Sequence, residues 1–117
     1  GIMTGQPHSK IKEICSPDII ESGTITYFLS PKGAETFPDL IKRAKKLLDS
    51  LRAKHKDENI LLVTHGDLGK MIYTAYYNLN WVQVLNMFHF GNSDLLELSE
   101  DSPAEETHVF KIHQHNL

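Results

Sequence analysis

Apolar residues recur along this chain at different periods, and each period predicts a different element. From Thr36 the spacing is helical: Leu40, Ile41, Ala44, Leu47, Leu48 and Leu51 fall on one face. Lys42, Arg43, Lys45, Lys46 and Arg52 fall on the other, which reads as a solvated face. Thr36 with Asp39 three residues on has the pattern of a capping box, with Asp in place of Glu or Gln. Pro38 is tolerated in a first helical turn. Residues 59–63, Asn-Ile-Leu-Leu-Val, form a continuous apolar run of the kind buried inside a parallel sheet. The run stops at Thr64-His65-Gly66, and Leu68, Met71, Ile72, Ala75 and Tyr76 then return to the helical period. A helix ending near Asn78 is expected.

The remaining patterns are weaker. Residues 1–10 are polar with Gly and Pro and predict a flexible amino-terminal segment, leaving residues 11–117 as the domain. Residues 10–14, Lys-Ile-Lys-Glu-Ile, alternate and predict a short strand or extended loop. Pro17, Gly23, Pro31 and Gly33 punctuate the stretch after Cys15, which is expected to be mostly irregular. Trp81, Val84, Leu85 and Phe88 fit a short helix, although residues 88–90 also suit extended chain. Residues 94–98 and 108–113 predict two strands able to pair as a hairpin at a sheet edge. His113 and His115 would share a strand face, but with no third ligand in view they read as exposed histidines, and no metal is expected.

Composition narrows the function classes. At 117 residues, with 40% hydrophobic and 23% charged positions, the chain suits one soluble globular core. No apolar stretch approaches the roughly 20 residues needed to cross a bilayer, so no membrane partner is expected. A net charge of −3 weighs against nonspecific nucleic-acid binding. The single cysteine, Cys15, cannot form an internal disulfide, which suits a reducing, cytoplasmic setting. Association into a homo-oligomer stays open.

Candidate chemistry concentrates at residues 64–67. His65 is expected at the carboxyl end of a strand, beside a glycine turn and a helix amino terminus, which is where open α/β sheets bind ligands. Free backbone N–H groups and the helix dipole there favour an anion such as phosphate, with Gly66 contributing backbone. The turn is not a P-loop, because Gly66 and Gly69-Lys70 lack the four-residue gap. Nor is it a metal motif, since no second His follows one helical turn later.

The order strand, Thr64-His65-Gly66, helix, preceded by an amphipathic helix opening at Glu35-Thr36, resembles the histidine phosphatase superfamily, the phosphoglycerate mutase-like fold. Glu35 to Arg43 reproduces the spacing of that family's Gly-Glu-Ser…Arg helix, with Ala34 where glycine is usual. Ile11-Lys-Glu-Ile14 looks like its Leu-Arg-Glu-Ile segment, whose Glu is the proton donor in many members. Asn92, ahead of Leu95-Leu96, is similar to the asparagine entering a late strand. The resemblance implies an α/β fold, a three-layer sandwich with a mostly parallel sheet and helices on both faces, of which residues 11–117 would form part. It implies phosphoryl transfer from a small-molecule phosphate monoester or a phosphoprotein, without cofactor or metal. His65 would donate hydrogen bonds to the phosphoryl oxygens, with Gly66 beside it. Glu13 would protonate the leaving oxygen and later deprotonate water, with Asp18 and Glu21 next in line for that role. Glu35 would order the loop into its helix. The short stretch 15–34, where Lys32 is an isolated cation, tilts the expectation towards phosphatase rather than mutase.

One departure from the family pattern is decisive. Family catalysis uses an amino-terminal Arg-His-Gly whose His attacks phosphorus, and this chain contains no such motif. Its only arginines are Arg43 and Arg52. Two accounts follow: a carboxyl-terminal portion of a histidine phosphatase whose nucleophile lies elsewhere, or a noncatalytic relative that binds a phosphorylated ligand or a protein partner.

Overall fold

The computed structural model describes residues 1–107 and 109–111. The chain divides within its long helix into two compact units, Gly1–Leu40 and Ile41–Leu117.

In the first unit a 3-10 turn over His8–Lys10 runs into helix α1 (Ile11–Cys15). The alternation at residues 10–14 predicts extended chain. A helix forms instead because Cys15 supplies an apolar position one turn after Ile11, and both are buried. The stretch expected to be irregular holds a hairpin. Strand β1 (Ile19–Ser22) pairs antiparallel with β2 (Ile25–Phe28), Ile20 opposite Tyr27 and Ser22 opposite Ile25. The tight turn between them places Gly23 at φ +60°, a conformation that side chains with a Cβ resist. Tyr27 is buried and meets Phe37 edge-on, with ring centroids 5.8 Å apart.

Helix α2 (Phe37–Lys54) opens as its sequence predicts. The Thr36 hydroxyl accepts from the Asp39 N–H at 3.3 Å and donates to Asp39 Oδ2 at 2.7 Å. The Thr36 N–H donates to the same carboxylate at 3.3 Å. Two backbone donors that the helix leaves unpaired are thereby satisfied reciprocally. The basic residues Lys42, Arg43, Lys45, Lys46 and Arg52 are all exposed, as expected of a solvated face.

In the second unit, Ala44 and Leu48 of α2 pack with Ile72 of helix α3 (Gly66–Tyr77). Leu68, Ala75, Tyr76 and Leu98 complete that cluster. α3 ends at Asn78, whose φ of 52° is left-handed and whose N–H donates to the Thr74 carbonyl. Helix α4 (Trp81–Met87) follows, capped by the Asn80 side chain accepting from the Gln83 N–H at 3.1 Å. After α4, Phe88 is extended, so both expectations for this region hold in succession. Strands β3 (Leu95–Leu96) and β4 (Val109–Phe110) pair antiparallel, a shorter version of the expected hairpin. His113 and His115 lie outside the described residues. No helix among the described residues is long and apolar enough to cross a membrane.

The expected three-layer sandwich with a mostly parallel sheet does not form. Among the described residues the sheets are two antiparallel pairs, β1 with β2 and β3 with β4. Residues 59–63, expected as a buried strand, pair with nothing there and are exposed, Leu61 at 75% and Val63 at 92%. A parallel strand needs a second strand delivered beside it by a crossover connection. Among the described residues the strands pair as β1 with β2 and β3 with β4, and none of them lies beside residues 59–63.

Candidate active site

His65 is the N-cap residue of α3, with extended backbone at φ −86° and ψ 158°. Its carbonyl accepts from the Gly69 N–H at 2.9 Å and closes the first turn. The imidazole makes no capping hydrogen bond, and the residue is exposed. The N–H groups of Gly66, Asp67 and Leu68 precede the first intrahelical bond, so they point outward beside the imidazole. An anion would meet those amides and the positive end of the helix dipole. Asp67 places a carboxylate in the same turn, which steadies the helix and opposes a bound anion. Gly66 is also exposed. His65 and Gly66 thus stand together at a helix amino terminus as expected, without the strand expected before them.

The arginines do different work. Arg52 lies over the Tyr76 ring, 5.3 Å from its centroid, and its Nε is 3.8 Å from Glu100 Oε1. Tyr76 belongs to the last turn of α3, about 16 Å along the helix axis from His65 at the helical rise. Arg52 therefore lines a cleft with Tyr76, Tyr77 and residues 99–103 at the far end of the helix. Arg43 sits on the exposed face of α2.

Across residues 1–111 the sequence matches the model of the histidine phosphatase superfamily (branch 1). The chain belongs to that superfamily. It is also 40% identical over 43 residues to a metal-independent phosphoserine phosphatase of Arabidopsis thaliana, a match covering 37% of this chain and 18% of that protein. No solved structure matches.

The other acids proposed for this histidine phosphatase chain lie in its first unit, whereas His65 belongs to the second. Glu13, on α1, has an exposed side chain and pairs with Lys10 Nζ at 2.7 Å. Glu21 on β1 forms an ion pair with Lys12, and Asp18 accepts a hydrogen bond from the Ser30 hydroxyl.

Sequence reasoning passed over a further pair beside the His65 turn. Lys70 is buried at 2% exposure, and its Nζ lies 2.9 Å from His89 Nδ1. Burial holds the Lys70 ammonium below its usual pKa, while Asp67 acts in the opposite direction. Lysine on a helix flanked by apolar residues is the only trace of this in the sequence. His89 stands nineteen positions away, and no periodicity joins the two.

Proposed function

We propose that these 117 residues form the carboxyl-terminal part of an enzyme that moves phosphoryl groups from phosphate monoesters through a phosphohistidine. The nucleophilic histidine would lie on polypeptide beyond them. The observation that carries this reading is His65, uncommitted at the amino terminus of α3 beside three outward N–H groups, in a chain of the histidine phosphatase superfamily. The nucleophile would attack phosphorus as the ester P–O bond breaks, and Glu13 would give its proton to the leaving oxygen. Water would then attack the phosphohistidine, returning a proton to Glu13 and releasing inorganic phosphate. Throughout, His65 and the α3 amides would hold the equatorial oxygens. The name of the Arabidopsis relative supports phosphoserine as a first substrate to try, and its metal independence suits a site built from imidazole and backbone donors.

A noncatalytic role is the second reading, and the distant engagement of Arg52 favours it. A phosphoryl transition state wants forked cationic donors, and Arg52 is committed to Tyr76 and Glu100. The deciding experiment starts from the reading frame that encodes this chain. If an Arg-His-Gly precedes these residues, the extended protein should hydrolyse an aryl phosphate and phosphoserine, and trap acid-labile phosphate on histidine. The 117 residues alone should give background hydrolysis. An extended frame without that motif, or a protein that never becomes phosphorylated, would leave the noncatalytic reading standing.

A further inference from the structure

Lys70 has no role in the chemistry above, yet it is among the most deeply buried side chains of the molecule. Its Nζ lies 3.4 Å from the carbonyl of Leu85, 2.9 Å from His89 Nδ1 and 5.7 Å from the centroid of the Phe88 ring. These partners all lie in the second half of α4 or just after it. Leu85 belongs to the last turn of α4, where the carbonyl end of the helix favours a cation. An ammonium has only hydrogens to offer, so His89 accepts at Nδ1 and carries its own proton on Nε2. Lysine thereby ties the body of α3 to residues 88–90.

The next residue shows what that tie accomplishes. The Phe90 ring lies on the first turn of α3: a Cβ at Gly69 would stand 3.2 Å from Phe90 Cε2, and one at Gly66 would stand 3.8 Å from Phe90 Cβ. Only the missing side chain at Gly69 allows the ring to seat there without displacement. Phe90 in turn meets Phe88 edge-on at 5.2 Å, and Phe88 meets the buried Tyr73 at 5.5 Å. The His65 turn therefore has one fixed wall, and the polar anchor of that wall is Lys70.

We propose that Lys70 is a positioning residue for the His65 turn, holding residues 88–90 so that Phe90 closes over Gly66 and Gly69. A methionine could fill the same space but could donate to neither Leu85 nor His89, so packing alone does not replace it. Asp67, on its own helix, and His89 are charged or titratable groups that face the ammonium, and the residues of α4 carry no charge. The bearing of this wall on phosphoryl binding rests on the reading of His65 given above, whereas the positioning itself rests on the geometry alone.

The test uses the full 117-residue chain in solution NMR, with Lys70→Met and His89→Ala as separate variants and circular dichroism as the check on folding. In the wild type, the Phe90 ring should show an NOE to the Gly69 Hα, and nitrogen shifts should report His89 as the Nε2–H tautomer. Both variants should lose the NOE while keeping their helix content. Lys70→Met should also release the His89 tautomer preference and move the Gly66 amide resonance. If Lys70→Met fails to fold, the His89→Ala spectrum decides. Retention of the NOE in a folded variant, or an unchanged Gly66 amide in Lys70→Met, would overturn the proposal. Titration with inorganic phosphate is a separate arm: His65 and Gly66 should respond in the wild type and respond less in Lys70→Met. A wild type whose His65 ignores phosphate counts against the phosphate reading, while the NOE and tautomer still decide the role of Lys70.

Discussion

His65 and Glu13 make opposite demands on their surroundings, and each can be tested alone. His65 is exposed and its imidazole supports no packing or cap, so His65→Ala should leave the melting temperature unchanged. In an extended protein that carries the nucleophile, the same change should remove one hydrogen-bond donor from the transition state, costing roughly 3 kcal/mol, or about a hundredfold in rate. Near-normal turnover in that variant would reduce His65 to a loop residue. Glu13, whose exposed side chain pairs with Lys10, should matter through its proton. Glu13→Gln should slow the first step for alkyl phosphates more than for aryl phosphates, whose leaving oxygen hardly needs protonation. Dephosphorylation should slow for both substrates, because water still needs a base. Single-turnover rates equal to wild type in both steps would assign Glu13 to the surface and turn attention to Asp18 and Glu21.

At the scale of elements, two apolar side chains, one on α2 and one in the 59–63 run, differ in what they contribute. Leu48 lies in the cluster that joins α2 to α3, and Leu48→Ala should cost roughly 2–5 kcal/mol of stability, the range for a truncated core leucine. Val63 is 92% exposed and pairs with nothing among the described residues. Val63→Lys should therefore leave stability within about 0.5 kcal/mol of wild type, as for other surface changes. Chemical denaturation of the two variants separates these outcomes, and a large loss from Val63→Lys would mean that residues 59–63 are covered in solution. The α2 start and the 59–63 run also differ in how well the sequence describes them. The Thr36–Asp39 cap closes on itself within four residues, so composition suffices to specify it. The 59–63 run specifies only a wish to be buried, and its fulfilment depends on strands that local sequence cannot name.

For the molecule as a whole, alkaline pH should weaken the fold through its tyrosines. Burial, helped by Tyr77 and Glu105, holds Tyr73 above its usual pKa of 10.0, and its hydroxyl donates to the Ala104 carbonyl at 3.3 Å. Tyr76 is raised as well, first by burial and then by Glu100 and Tyr77, with Arg52 acting against them. A group whose pKa is raised on folding contributes stability below its unfolded value and loses it as pH rises through the folded one. Lys70 acts in the other direction: its lowered pKa means that the unfolded chain binds the proton more tightly just below 10.5, so its contribution improves as pH climbs to that value. The net prediction is a melting temperature that falls above pH 10.0, with a shallower fall in Tyr73→Phe. Identical slopes in the two proteins would show that Tyr73 does not carry the effect.

The sequence by itself determined what is local: the capped amphipathic α2, the α3 helix beginning at Thr64-His65-Gly66, and family membership through motifs that are contiguous in the chain. These follow from periodicity, capping chemistry and short spacings, none of which needs a distant partner. It did not determine which segments would pair. Tertiary structure made α1 from an alternating stretch, made a hairpin of residues 19–28 where irregular chain was expected, and left the most apolar run exposed. It also brought His89 to Lys70 and Phe90 to Gly69, contacts across about twenty residues of chain that no local pattern encodes. The physical reason is the same throughout: a hydrogen-bond ladder or a buried charge needs a partner brought from elsewhere in the chain, and only packing decides which partner arrives.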